Sequence, residues 1–266
     1  MTEADLELVD SHCHLTDVAE RGGDLVQVLE RAHAAGVHQV VTSADGVEEG
    51  RRAVALADRF PEVFVTIGWH PTRPHPPDAS ELAGIAELLD HPKVVAVGEI
   101  GLDYLVRPGV PMTPRGVQQE QLQLMLELAR SHHLGVVVHD RLAHADVLAE
   151  LERAPGAGVL LHCFSGDAEL AVRAARLGMI CSFSGIVTFR NAPELRRAAA
   201  AVPADHLVVE TDAPFLSPEP FRGRSNEPHR VAVTARFLAA QRGECAASFA
   251  RAVTATARGF YHLPQP

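Results

Sequence analysis

Short runs of β-branched and aliphatic residues alternate along the chain with longer stretches whose apolar positions recur every three or four residues. The short runs predict strands at 8–10, 38–42, 63–67, 94–98, 136–139, 159–162, 180–183 and 207–210. The longer stretches predict helices at 24–35, 48–59, 115–132, 143–153, 168–177 and 193–200, with two more at 228–241 and 246–260. Eight such strand–helix units in 266 residues match the count and length of an α/β protein of the (β/α)8 TIM-barrel class. One domain over residues 1–266 is expected. A doubly wound open sheet is the competing architecture, but no GxGxxG follows the first strand. The Pro- and Gly-rich stretches 71–77, 108–114 and 214–223 each follow a strand, so they read as long βα loops rather than linkers.

Composition narrows the function without choosing it. Apolar residues make up 47% and charged residues 22%, which is ordinary for a packed globular protein. No apolar run is long enough to span a bilayer, and residues 1–5 lack the layout of a signal peptide. A cytoplasmic protein with no membrane contact is expected. Cys13, Cys163, Cys181 and Cys245 show no CxxC pairing and predict buried free thiols in a reducing compartment. A net charge of −10, with Lys93 the only lysine, excludes the broad basic surface of a protein that coats long nucleic acid. Any nucleic-acid substrate would be held over few nucleotides, with bound cations supplying positive charge.

Chemistry concentrates at the C-terminal ends of the strands, which in a barrel converge on one mouth. His12 and His14 are spaced i, i+2 and share one face of an extended segment, with Cys13 on the other. Later strands end in Gly68-Trp69-His70-Pro71, in Glu99, in His139-Asp140-Arg141, in His162-Cys163 and in Glu210-Thr211-Asp212. The set His12, His14, Glu99, His139, His162 and Asp212 offers nitrogen and oxygen but no thiolate. That suits zinc, manganese, cobalt or ferrous iron better than calcium, and magnesium is a further option. Six donors exceed what one catalytic zinc needs, so two divalent ions about 3.5–4 Å apart are expected. Glu99 is the candidate bridge, because the only lysine precedes the fourth strand. Such a site lowers the pKa of bound water toward ~7. Asp212, able to take the water's proton, joins Glu99 as a candidate catalytic residue. A lone histidine at a strand end is ordinarily just a loop residue, and nine of the fifteen histidines carry that reading.

In their order these motifs resemble the TatD family of metal-dependent deoxyribonucleases, within the amidohydrolase-type barrels. The matching segments are Asp10-Ser11-His12-Cys13-His14-Leu15, Gly68-Trp69-His70-Pro71, Gly98-Glu99-Ile100-Gly101-Leu102-Asp103-Tyr104 and His139-Asp140-Arg141. They continue with His162-Cys163-Phe164-Ser165-Gly166, Ser182-Phe183-Ser184-Gly185, Glu210-Thr211-Asp212-Ala213-Pro214 and Asn226-Glu227-Pro228. The resemblance implies a (β/α)8 barrel, one or two divalent metals on His12, His14, Glu99, His139, His162 and Asp212, and hydrolysis of DNA phosphodiesters. It also implies that His70 contacts substrate phosphate. Gly135, Ser225 and Arg190 depart from the family pattern, and the missing charge at 225 weakens a phosphate grip without touching the ligands.

Beyond His70, residue chemistry nominates Arg141, Arg224 and Asn226 for substrate contact, since guanidinium and amide groups donate to phosphate oxygens. The alternatives are orientation of a ligand carboxylate for Arg141 and simple solvation for Arg224. Trp69, Tyr104 and Phe215 fall in mouth loops and are candidates for stacking on bases. The leading expectation is a monomeric exonuclease acting on DNA ends or single strands. Its rival is an amide or ester hydrolase on a small-molecule or aminoacyl substrate, because the same activated water attacks carbonyl carbon or phosphorus. A barrel kept only as a binding protein is disfavoured by the intact ligand set.

Overall fold

Each β-branched run lies beside the next one in sequence. In the computed structural model, which describes residues 6–153 and 156–265, β1 (Leu8–Cys13) is followed by α1 (Leu15–Glu20) and α2 (Leu25–Ala34). Then come β2 (Val37–Asp45) with α3 (Gly46–Arg59), β3 (Val63–Gly68) with α4 (Ala79–Leu89), and β4 (Val94–Asp103) with α5 (Arg115–Ser131). The second half runs β5 (Gly135–Arg141), α6 (His144–Arg153), β6 (Val159–His162), α7 (Ala168–Arg176), β7 (Ile180–Phe183) and α8 (Pro193–Ala201). It closes with β8 (Leu207–Val209), α9 (Val231–Arg242) and α10 (Ala246–Tyr261). The strands pair in parallel, in the order β1 to β8, which makes the (β/α)8 barrel.

Strand periodicity explains why the floor of the barrel is apolar and its mouth polar. Val9, Val41, Phe64, Ala96, Val137, Leu160 and Val208, one from each of seven strands, form one buried cluster closed from below by Tyr261. Two residues further along, on the same inward face, come Ser11, Ser43, Thr66, His139, His162 and Glu210. The opposite face of each strand packs Leu8, Val40, Val65, Val97, Val138 and Leu161 into the larger core under the helices. Phe183 joins that core and Phe237 packs against it, as core rather than mouth residues.

Strand four runs beyond the expected end at residue 98, reaching Asp103. Ile100 and Leu102 are buried in the outer core, so Glu99, Gly101 and Asp103 turn toward the barrel axis. Gly101 (φ +140°) is required there: a Cβ would stand 2.0 Å from the His139 carbonyl oxygen. Two helices also lie outside the expected set. Helix α1 is six residues long, and α4 starts at a reciprocal capping box between Asp78 and Glu81. Of the four cysteines, all free, Cys245 is exposed and so corrects the expectation of uniform burial. It precedes α10, where the chain returns to the surface.

The seam between β8 and β1 holds the mouth together. Among the described residues no ladder joins these strands; buried Asp10 does so instead, accepting from Thr211 N (2.8 Å) and Thr211 Oγ1 (2.6 Å). Asp212 N donates to His12 O at 3.0 Å and His14 N to Ala213 O at 2.7 Å. Ser11 Oγ adds a bond to Val209 O at 2.9 Å. Burial raises the Asp10 carboxyl well above its ordinary pKa, opposed by the Thr211 bonds. Asp10→Ala strands two buried donors and is expected to cost about 3 kcal/mol, read as a lower urea midpoint, with Asp10→Asn losing less. Equal midpoints for all three proteins would remove the seam from the account.

Candidate active site

Four strand ends, or the loops just after them, deliver imidazoles to one carboxylate. Glu99, 6% exposed, turns its Oε2 toward His12 Nε2 (3.6 Å) and His14 Nε2 (3.8 Å). Its Oε1 faces His139 Nδ1 (2.7 Å), His162 Nε2 (3.2 Å) and His70 Nε2 (3.7 Å). Asp212 closes the first side, with Oδ1 3.3 Å from His14 Nε2 and 3.8 Å from His12 Nε2. Asp212 takes φ +56°, a left-handed turn held by the seam bond to His12.

The buried imidazoles and carboxylates shift one another's titration in opposite directions. Burial depresses His14, but Asp212 and Glu99 outweigh it and push the imidazole up to about 9. Burial likewise lowers His139, and Asp103 with Glu99 raises it to about 9. His12 is driven well below its ordinary value by burial and by His162, and its buried Nδ1 has no hydrogen-bond partner. Glu99 stays ionised: burial raises it, but His162 and His139 hold it well below the carboxylate range. Three triads, His12–His14–Glu99, His12–His162–Asp212 and His70–Glu99–His139, each have donor atoms within 4.8 Å of one another. Buried nitrogen and oxygen donors at these separations fit divalent ions.

Two carboxylates that the sequence reading left unassigned orient these imidazoles. Asp103 Oδ2 lies 3.3 Å from His139 Nε2, on the ring edge away from Glu99. Glu210 Oε1 lies 3.0 Å from His162 Nδ1 and accepts from Cys163 N at 2.9 Å. Glu210 Oε2 also accepts from Ser182 Oγ. Each carboxylate favours the tautomer that aims the other ring nitrogen into the cluster. His70 is fixed differently. Thr72 N donates to its Nδ1 at 3.3 Å, which leaves the proton on Nε2, and burial lowers its pKa to about 4. At neutral pH it is therefore an N–H donor facing the cleft.

The cluster lies at the floor of a cleft of about 460 Å³ lined by Asp17, Asp45, Glu49, Asp103, Arg107 and Phe215 among others. A larger cavity of about 750 Å³ sits near His33, His38 and Phe64, at the other end of the barrel. Five of the nominated contacts are placed elsewhere than expected. Arg141 and Arg224 are exposed, and neither lines the cleft. Asn226 is fully buried; its Nδ2 donates to Thr211 O and its Oδ1 accepts from Glu227 N, so it ties down the loop after β8. Trp69 is buried with Nε1 bonded to His75 O. Tyr104 is buried with its hydroxyl on Asp146, which removes it from stacking too. Phe215, 39% exposed, is left as the aromatic ring of the mouth, with Arg21 over its face.

This geometry agrees with what the chain is similar to. Residues 9–262 match the family model described as TatD related DNase. The chain belongs to the TatD family. An uncharacterized metal-dependent hydrolase, TatD, of Mycobacterium tuberculosis is 41% identical over 261 residues, covering 96% of this chain and 98% of that protein. A 3'-5' ssDNA/RNA exonuclease TatD of Cronobacter sakazakii is 34% identical over 230 residues, covering 83% and 85%. The crystal structure of YjjV, a TatD homologue from Escherichia coli, superposes with a TM-score of 0.89 at 31% identity, over 99% of this chain and 100% of that one. This TatD protein is thus a metal-dependent hydrolase, and no described helix is long and apolar enough to cross a membrane.

Asp103→Asn keeps the shape but replaces one carboxylate oxygen with a donor beside His139. Metal affinity, measured by competition with a chromogenic chelator, is expected to fall about 10–100-fold. Unchanged affinity would show that Asp103 does not hold His139 for a metal.

Proposed function

We propose that this TatD protein is a two-metal phosphodiesterase that removes nucleotides from the ends of single-stranded DNA. The observation that carries this reading is the two-sided environment of Glu99, one oxygen toward His12 and His14 and the other toward His139 and His162. One ion would be held by His12, His14, Glu99 and Asp212, the other by Glu99, His139 and His162. Zinc, manganese or magnesium bound there supplies Lewis acidity and a water activated at neutral pH.

The chain's own residues then divide the work. The Asp212 carboxylate accepts the proton of the attacking water and returns it to the leaving sugar oxygen as the P–O bond breaks. His70 presents its Nε2 proton to a phosphoryl oxygen, where charge develops. Phe215 offers a π-face to a terminal base. The lining carboxylates Asp17 and Glu49 disfavour a polyanion, so only a segment short enough to reach the cations is held. That is why an end, and not a long duplex, is the substrate that fits. The similarity to a relative named a 3'-5' ssDNA/RNA exonuclease supports the same substrate class. A monomer acting in the cytoplasm completes the proposal.

The test is release of acid-soluble nucleotides from uniformly labelled single-stranded DNA by metal-loaded protein, beside a His139→Ala, Asp212→Ala variant. Wild type is expected to release mononucleotides, and the variant to be slower by about a hundredfold or more. No release by wild type with metal bound, together with turnover of an amide or ester panel, would overturn the phosphodiester reading.

A further inference from the structure

The cleft poses a problem that its candidate metal ligands do not solve: the carboxylates Asp17, Asp45 and Glu49 line it, and a phosphodiester substrate needs a cationic side chain beside them. Among the described residues lining the cleft, Arg107 is the only arginine or lysine. Nearby Arg73 is already engaged. Its Nε donates to Asp45 Oδ1 at 2.8 Å, its Nη2 to Asp45 O at 2.7 Å, and its guanidinium covers the Trp69 ring.

Arg107 is carried on a built arm. The segment between β4 and α5 folds back at a turn in which Val110 N donates to Arg107 O at 3.1 Å. Gly109 takes the positive φ of +76° that this turn needs. The base of the arm is pinned on both sides. Thr113 Oγ1 donates to Thr72 O and Arg73 O at 3.0 Å each. Gln118 Nε2 donates to Asp103 O at 2.9 Å and to Thr113 O at 2.8 Å. The side chain is 44% exposed and is aimed by Nη2 to Asp103 Oδ2 at 2.7 Å, with a longer bond from Nη1 to Leu105 O at 3.5 Å. A planar guanidinium tied by one edge keeps further N–H donors for an oxyanion.

Resting on the phosphodiesterase reading, the geometry points to Arg107 as the residue that grips the phosphate next to the scissile one in a single-stranded substrate, with Asp103 holding its guanidinium in the cleft. The same Asp103 oxygen faces His139, so one carboxylate sets both the grip and a ligand-bearing imidazole. Arg141 and Arg224, the arginines nominated from sequence, have no such placement. A terminal nucleotide with one further phosphate is therefore the smallest ligand that uses the whole cleft.

Two measurements on metal-loaded protein separate this assignment from the reading beneath it. Hydrolysis of bis(p-nitrophenyl) phosphate, which carries a single phosphate, tests phosphodiester chemistry in wild type. Binding of a phosphorothioate-linked single-stranded oligonucleotide, followed by fluorescence anisotropy across a salt series, tests the grip. Arg107→Ala is expected to weaken oligonucleotide binding about tenfold. It should also reduce the slope of log Kd against log salt by about 0.7, the loss of one phosphate contact. Arg107→Lys should restore the slope while recovering only part of the affinity, because it keeps the charge but not the fork. Arg141→Ala and Arg224→Ala should leave the slope where it was. Equal slopes for wild type and Arg107→Ala, with wild type active on the small diester, would overturn the arginine assignment alone. A wild type inactive on the small diester would overturn the phosphodiester reading and this assignment with it.

Discussion

A carboxylate buried at the axis of a barrel is tolerable only if positive charge or hydrogen bonds surround it, since an isolated buried ion costs several kcal/mol. Glu99 meets that condition with imidazoles from four other strand ends or the loops after them. Everything else at the mouth follows from keeping those rings in place. Asp103 and Glu210 stand beside the outer nitrogens of His139 and His162. Gly101 lets β4 approach β5 closely enough for Glu99 and His139 to meet. The inward face of β4 thus carries the proposed bridge, the gap and the acid beside His139 in three successive inward positions.

The seam has the same logic at larger scale. A barrel whose first and last strands drifted apart would separate His12 and His14 from Asp212. Here Asp10 spans that gap with two hydrogen bonds to Thr211, and backbone bonds tie His12 to Asp212 and His14 to Ala213. The first motif of the chain and the last strand end are therefore one structural unit, although about two hundred residues separate them. Stability and chemistry share it: the residue pair that closes the fold also sets the angle of the proposed general base.

Much of this was readable from residues alone. Hydrophobic periodicity marked all eight strands, and ligand-type side chains at their ends named the cluster that the structure brings together around Glu99. What escaped did so for identifiable reasons. Asp103 lay in a quoted motif, but a strand expected to stop at residue 98 gave it no inward direction. Glu210 is placed by the same period-two rule from Val208. Residue type alone points to Arg141 and Arg224, and it says nothing about where a loop turns its side chains. Asn226 is the same case in reverse, a donor consumed by its own loop. Helix α4 did leave a mark, the Asp78–Glu81 capping box, whereas six-residue α1 is too short for periodicity to reveal.

Glu99 is proposed to join two metal positions and not merely to neutralise histidines. Metal content per chain, measured by elemental analysis after equilibrium dialysis against zinc or manganese, tests it most directly when wild type is set beside Glu99→Ala. The account predicts two ions per wild-type chain and at most one, weakly held, in the variant. Two tightly held ions in both proteins would contradict it, because a carboxylate that bridges cannot be removed without loosening both positions.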